Sequence, residues 1–526
     1  MLKKIQQDFS YYSHEFKDNY RKGVHRLRTI LASRAQAQAF VSNAGGVAVV
    51  LGYEPETPDK NAQELYALLA ASPYIDDAVQ TFLGSIYEAG AESQDAMYSD
   101  SARCLEILHD PVMSRAAGAG TVSAGKWIAA LAGQSCAAYT DIAAVAASET
   151  AMTAVAASET AMAAVVRNAT ALNAVVTSQV ALNAVAASET AMAAVIGNAT
   201  ALNVVATSQA AMNAVAASET AMTAVIANTA AFNTVVTSHV AMNAVASSYV
   251  AVAAVYESAV AVEAVKANET AWATLTGASS AVMGKAAAKL AGLNPADYAD
   301  MTAVAASSTA MTAVAASSTA MAAIIANSTA LNAVVSSSAA MSAVAASQTA
   351  MAAVIANATA LNAVVSSSTA MAAVAASSTA MTAVASSQTA MTAVASSQTA
   401  MTAVAASSTA MTAVAASSTA RAAIAASSTA LSAIAASTTA LDAIYAKKKR
   451  MSGASASLSG KFIILQISND NAFDTSRYGY ATLSDGSKPK WDSYKDKYAY
   501  FKQYKKIATY MKNDTDSGDW IDYFQC

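Results

Sequence analysis

Met301-Thr302-Ala303-Val304-Ala305-Ala306-Ser307-Ser308-Thr309-Ala310 is followed at once by Met311, where the same ten residues begin again. The anchor recurs every tenth residue from Met152 through Leu172, Phe232 and Val262 to Trp272, 13 copies in all. It resumes at Met301 and keeps step through Met411, Arg421 and Leu431 to Leu441, another 15 copies. A short period held this long implies a one-dimensional architecture, in which each unit buries its apolar side against neighbouring units. Such a chain is organised for shape, and enzymes are seldom built this way.

Three conformations compete for the decad. Ala and Met are good helix formers, and the blocks hold almost no Gly and no Pro. A straight helix turns about 1000° in ten residues, however, so its apolar stripe would slip by about 80° per unit. A β-solenoid with one unit per rung would keep each residue above its copy, and Val, Ile and Thr suit it, but its corners would want Gly or Asn-Gly. The third conformation fits most positions. Ser or Asn holds the seventh position almost throughout (Ser158, Asn168, Ser178, Ser188, Asn198), and both are favoured helix N-caps. Each decad is then a helix of about two turns, closed by the next cap, with Ala at positions three and ten letting neighbours approach. Asn168, Asn198 and Asn228 lie 30 residues apart, as do Gln179, Gln209 and His239, which is the rhythm of a coil with three decads per turn or of duplication in 30-residue blocks. The expected fold is a fibrous repeat protein: a helical N-terminal domain, a decapeptide-repeat shaft built as a short-helix solenoid with the β-solenoid as alternative, and a small β-rich C-terminal cap.

Composition narrows the class. A net charge of −4 gives no general attraction to nucleic acid or acidic membranes. Between Thr302 and Ala420 there is no charged residue, no His and no aromatic, yet Ser and Thr interrupt every apolar run, so no membrane span is expected. The N-terminal Met1-Leu2-Lys3-Lys4-Ile5-Gln6-Gln7-Asp8-Phe9 lacks the apolar core of a secretory signal, which points to assembly in a cytoplasm. Cys104, Cys136 and Cys526 are too few and too scattered for a disulfide framework or a zinc site.

Outside the decads, residues 1–117 read as an ordinary helical domain carrying four of the six prolines. Asp8 to Ala39 reads as a charged helix, broken by Gly45-Gly46; Pro55 and Pro58 mark a loop, and Asn61 to Ala71 and Ile75 to Ala89 read as helices. A cassette then occurs three times: Gly118 to Lys126, Gly277 to Lys285 and Gly453 to Lys461. The first two continue in parallel through Leu131-Ala132-Gly133 and Leu290-Ala291-Gly292 and then enter the repeat. The organisation is therefore 1–117 attachment domain, 118–150 adaptor, 151–275 first repeat block, 276–300 second adaptor, 301–446 second block, and 447–526 third cassette with an aromatic β cap. In that cap Phe462 to Ile467 is a strong strand, Tyr498 to Tyr504 and Ile521 to Phe524 are further candidates, and Asp485-Gly486 signals a turn.

Chemistry is sparse. Gly120 to Lys126 fits GxxxxGK, but Trp127 stands where a phosphate loop needs Ser or Thr, and the other copies lack the first glycine. His14, His25, His109 and His239 lie far apart in unlike contexts, and Cys104 and Cys136 read as structural thiols. Asp514 to Asp519 is similar to a calcium loop without its twelfth-position Glu, so a solvated turn is favoured. No catalytic, metal or cofactor site is expected. The sharper possibility is a recognition surface on the aromatic cap, with Trp491, Tyr494, Trp520 and Tyr523 as receptor-binding candidates. The competing expectation is that most of these rings form the core of the cap.

The decads Thr-Ala-Met-Thr-Ala-Val-Ala-Ala-Ser-Ser and Thr-Ala-Leu-Asn-Ala-Val-Val-Ser-Ser-Ser resemble the Ala/Ser/Thr-rich repeats of tail-fibre proteins from tailed bacteriophages, over roughly Ala143 to Tyr445. The resemblance implies a virion fibre made in the host cytoplasm. Its N-terminal domain would join other tail or baseplate proteins, and its C-terminal tip would bind a host-surface glycan or protein. Such fibres are commonly trimers, and no catalytic residue carries over. A bacterial surface adhesin or filament subunit, and an ice-binding protein using ladders such as Thr309, Thr319 and Thr329 on a β-solenoid, are the alternatives.

Overall fold

The computed structural model describes residues 11–16, 20–52, 60–87, 93–452, 456–468, 478–484, 486–488, 490–492, 506–513 and 520–526. The chain divides into two compact units, Met1–Leu275 and Thr276–Cys526.

In both units the decads are helices. Ser308–Ala316 and Ser318–Ala326 are typical, each nine residues long and capped by Ser307 and Ser317. The cap sits at the seventh position in extended backbone (Ser307 φ −91°, ψ 112°), and its hydroxyl accepts from the N–H of the third helical residue, Ala310, at 3.2 Å. That extended residue turns the chain: successive helices bend by between 95° (Ser328–Ser336 into Ser338–Ala346) and 106° (Gln348–Ala356 into Ala358–Ser366). The phase slip of a continuous helix therefore never accumulates, because each cap resets the direction before two and a half turns are complete.

The fourth helix returns to the first. Ser308–Ala316 packs on Ser338–Ala346, which packs on Ser368–Ala376, and so along the block. In the first unit Glu149–Ala157 packs on Gln179–Ala187 and that on Gln209–Ala217. Three decads make one layer, as the 30-residue rhythm predicts, and among the described residues there is no β-solenoid. Positions ten, one, four and five face inward: Ala310, Met311, Val314 and Ala315 are all fully buried. Position ten is closed to solvent throughout (Ala320, Ala330 and Ala340 at 0%), so Ala lets helix axes approach there. Position three is only half-buried in most units. Thr309, Thr319 and Thr329 stand on three successive helices that each change direction, so they form no single ladder; copies on one side are 30 residues apart, such as Thr319, Thr349 and Thr379. This removes the flat β face on which an ice-binding reading depended. No single described helix is long and apolar enough to cross a membrane.

The cap residues also link the layers. Ser337 Oγ donates to the Ala305 carbonyl at 2.6 Å and Ser367 Oγ to Val335 at 2.9 Å; Ser178 to Ala146 (2.5 Å) is the same bond in the first unit. The acceptor lies 32 residues back, near the end of the helix below, among the carbonyls that a helix cannot satisfy itself. One hydroxyl thus closes the start of its own helix and the end of its neighbour's.

The two adaptors are structurally equivalent. Helices Thr121–Leu131 and Ser280–Leu290 both end in a left-handed glycine, Gly133 (φ +71°) and Gly292 (φ +73°), with Gln134 and Leu293 N–H returning to Ala129 and Ala288 in Schellman closures. Asp141 and Asp300 then cap the first repeat helix of each block, at 2.8 Å to Ala144 and Ala303 N–H. Gly125 and Gly284 lie inside the adaptor helices, where an added Cβ would come within 2.2 Å of the Asp141 or Asp300 carbonyl carbon. The third sequence match does not share this fold. Gly460 and Lys461 lie in a strand, because the continuous β-branched and aromatic run Phe462-Ile463-Ile464-Leu465, buried on both faces, favours a core strand. Nor is Gly120 to Lys126 a phosphate loop: Thr121 onward is helix, and Lys126 pairs with Asp95.

The N-terminal domain is helical, with two revisions. Ser33 divides the expected long helix into Tyr20–Ala32 and Arg34–Val41. Gly45-Gly46 does not break a helix but sits in the first turn of Ala44–Leu51, where Asn43 caps Gly46 N–H at 2.8 Å and an added Cβ on Gly46 would meet the Phe40 ring at 2.9 Å. The core of this domain gathers Phe16, Leu27, Phe40, Leu51, Leu65, Leu83, Tyr98 and Trp127. Pro55 and Pro58 lie outside the described residues.

After Thr438–Tyr445, the last repeat helix, the chain forms β1 (Lys449–Ser452), β2 (Ala456–Ser468), β3 (Tyr478–Leu483), β4 (Lys490–Asp492), β5 (Lys506–Asn513) and β6 (Trp520–Gln525). The sheet order is β1-β6-β2-β5-β3-β4, antiparallel throughout. The expected strands at Phe462 to Ile467 and Ile521 to Phe524 are β2 and β6, and Gly486 takes φ +81° in the β3–β4 turn. Tyr498 to Tyr504 lies outside the described residues. Phe462, Ile464, Ala481, Met511, Ile521 and Tyr523 form one buried cluster, and Ile463, Leu465 and Phe524 are buried as well. The last two repeat helices, Ser428–Ala436 and Thr438–Tyr445, contact β5 and β6, so the sheet seals the end of the second block.

Candidate functional site at the seam of the cap

Where the repeat stops, Lys447-Lys448-Lys449-Arg450 leads into the sheet. Two of these cations serve one buried carboxylate. In the register of β1 on β6, Arg450 lies opposite Asp522. Its guanidinium reaches both carboxylate oxygens, at 2.7 and 2.9 Å, and Lys448 stands 3.5 Å away; the Asp522 side chain is fully buried. A buried carboxylate needs this kind of compensation. Arg450 also lies over the Trp520 ring, 3.6 Å from its centroid, and Lys448 over Tyr445 at the same distance. Hydrogen bonding to Asp522 raises the Arg450 pKa, and hydrogen bonding to Tyr445 raises that of Lys448, so both stay charged at any ordinary pH.

The other two cations do something else. Lys447 and Lys449 line a cavity of about 610 Å³ together with Ser418, Arg421, Phe524 and Gln525, over a floor that includes Ala415 and Ala416. Lys449 Nζ donates to Gln525 Oε1 at 2.6 Å. Among the described residues no carboxylate side chain lines this cavity. Arg421 is the residue of interest, because it occupies the anchor position that every other decad gives to an apolar side chain. Its placement has a local cause. The Ala415 carbonyl would take its interlayer bond from a residue 32 positions on, but that residue is Lys447, beyond the last cap serine. Arg421 Nη1 fills the role at 2.8 Å.

Of the predicted receptor-binding residues, Trp520 is half-buried under Arg450. Tyr523 is 6% exposed and packs edge-on against Phe462 at 5.4 Å, so its ring belongs to the core. Three positions apart on one strand, these two side chains leave opposite faces of the sheet. Trp491 lies on edge strand β4, paired with Gly479, and Tyr494 lies outside the described residues. Trp520 and Tyr523 therefore do not share one face of the sheet. Arg421, Lys447 and Lys449 were missed as a group. The available signal was the charge at an anchor position.

Burial pushes the thiol of Cys526, which also lines the cavity, and that of Cys104 up to about 12 and raises Cys136, so all three stay protonated near neutral pH. Among the described residues no group of three or more His, Cys, Asp or Glu could hold a metal ion. Asp514 to Asp519 lies outside them. The sequence matches no protein-family model and no curated protein.

Proposed function

We propose that this chain is a structural fibre of a tailed-phage virion, in which the repeat blocks act as spacers and the C-terminal cap binds the host-cell surface. The observation that carries the reading is the construction of the second block. Its twelve decads from Thr302 to Ala420 present only uncharged positions to solvent, and most of their helix ends are tied to the layer below by a cap serine. Such a stack holds its form without offering a chemical site, as a spacer must. The cap, with its concentrated cations and aromatic rings, is the part suited to recognition. On this reading the N-terminal helical domain joins other tail or baseplate proteins, and the assembled fibre is a trimer.

The test uses labelled full-length chain on a panel of bacterial cells, against a chain ending before Lys447. Surface labelling that disappears with the cap supports the reading. Equal labelling by the truncated chain, or none across a broad panel together with absence of the chain from purified virions, overturns it.

A further inference from the structure

We propose that the cavity formed by Arg421, Lys447 and Lys449 binds an acidic saccharide, through the carboxylate or phosphate on its ring. This rests on the attachment reading and names the class of receptor group that the cap would take. Three observations carry it. First, the cations converge from two separate elements, a repeat helix and the strand entry after the repeat, on one cavity that no carboxylate side chain among the described residues neutralises. Even with an α-carboxylate on Cys526, the positive charge is in excess. Lys448 and Arg450, by contrast, are committed to Asp522.

Second, the Arg421 guanidinium is held by its bond to the Ala415 carbonyl, which takes one of its five N–H groups. A planar, pre-oriented fork is suited to two-point recognition of a carboxylate or phosphate, which a mobile lysine alone would not give. Third, the remaining lining combines an apolar floor (Ala415, Ala416, Ala422, Phe524) with the Ser418 hydroxyl, the Gln525 amide and Cys526. An apolar floor beside a few placed hydrogen-bonding groups is the usual make-up of a small-molecule site, and about 610 Å³ is ample for a monosaccharide.

The experiment is titration of the full-length chain with glucuronic acid and with glucose 6-phosphate, using glucose and inorganic phosphate as controls. Both acidic sugars should bind, more weakly as salt rises, and glucose should not. Arg421→Met, which restores the repeat's own anchor, should weaken binding at least tenfold, and the double variant Lys447→Gln/Lys449→Gln should do so with Arg421 intact. Unchanged helical circular dichroism checks that each variant is folded. Binding of glucose as tight as that of the acidic sugars, binding of inorganic phosphate alone, or no effect of either variant would overturn the proposal. The two readings fail separately. Cap-dependent cell labelling without acidic-sugar binding removes this pocket only, and sugar binding without labelling of any cell removes the attachment role only.

Discussion

A cap serine in the middle of a block makes two bonds that neither Ala nor Gly can reproduce. Ser367 accepts from Ala370 N–H at 3.2 Å and donates to the Val335 carbonyl of the layer below at 2.9 Å. Ser367→Ala should therefore cost more than a surface cap. Loss of an N-cap is worth about 1 kcal/mol, and an unsatisfied carbonyl at a packed helix end adds about as much again. We expect a loss of roughly 2 kcal/mol by urea denaturation, against less than about 0.5 kcal/mol for Ser408→Ala, which is exposed at the next position. Asn327 shows why Asn sometimes replaces Ser. It is buried, accepts from Ala330 N–H at 2.8 Å, and donates to both the Thr276 and Ala278 carbonyls at 2.8 Å, a reach that a hydroxyl lacks. Glycines separate in the same way. Gly284→Ala should prevent the second adaptor from docking, because its Cβ would sit 2.2 Å from the Asp300 carbonyl carbon. Gly197→Ala, whose nearest contact is the Ala193 carbonyl oxygen at 3.2 Å, should fold; soluble yield and circular dichroism read both.

At the scale of elements, the seam between helix and sheet depends on Asp522. Removing the Arg450 guanidinium leaves a fully buried carboxylate with Lys448, 3.5 Å away, as its remaining cation among the described residues. Arg450→Met should lower the stability of the cap by about 3 kcal/mol, and Arg450→Lys by less, followed by tryptophan fluorescence during urea unfolding. Release of the Trp520 ring from its cation should move the folded-state emission as well. What could be read in the sequence divides along these elements. The decad helices, their Ser/Asn caps and the three-decad layer were legible, because caps and periodicity are local signals repeated many times. The core strands β2 and β6 were legible from their apolar, β-branched and aromatic residues. The third cassette was misread, since identity at Gly460 and Lys461 says nothing about conformation when Phe462 starts a continuous β-branched and aromatic run. The receptor candidates were chosen by residue type alone. Type could not reveal that Tyr523 is needed against Phe462, nor that Arg421, far from Lys447 in sequence, comes beside it when the stack ends.

For the whole molecule, the arithmetic of the stack makes a prediction about length. In the interior of the block most cap serines look 32 residues back for their acceptor, and each helix there packs on the one three decads earlier. Deleting a full layer, residues 341–370, brings equivalent positions back into place at the junction: Ala340 is followed by Met371, and Ser377 comes to stand where Ser347 stood. The uncharged outer face is unchanged. A one-dimensional stack loses only one layer's own contribution by this, so the shortened chain should fold, with helical circular dichroism per residue close to that of the parent. Deleting 341–365 is a smaller cut with the opposite outcome. It puts the cap serines five positions out of phase at the junction, so that apolar anchors meet solvent and helix ends above and below the cut lose their partners. That variant should show reduced ellipticity and rapid proteolysis within the second block. Deleting a single decad, 341–350, tests whether layers or decads are the unit: the caps stay in phase, but each later residue moves to the next side of the coil. Because Ala, Met and Val recur in all three decads of a layer, this variant should fold with stability between the other two. If all three deletions behaved alike, the layered packing described above would be wrong.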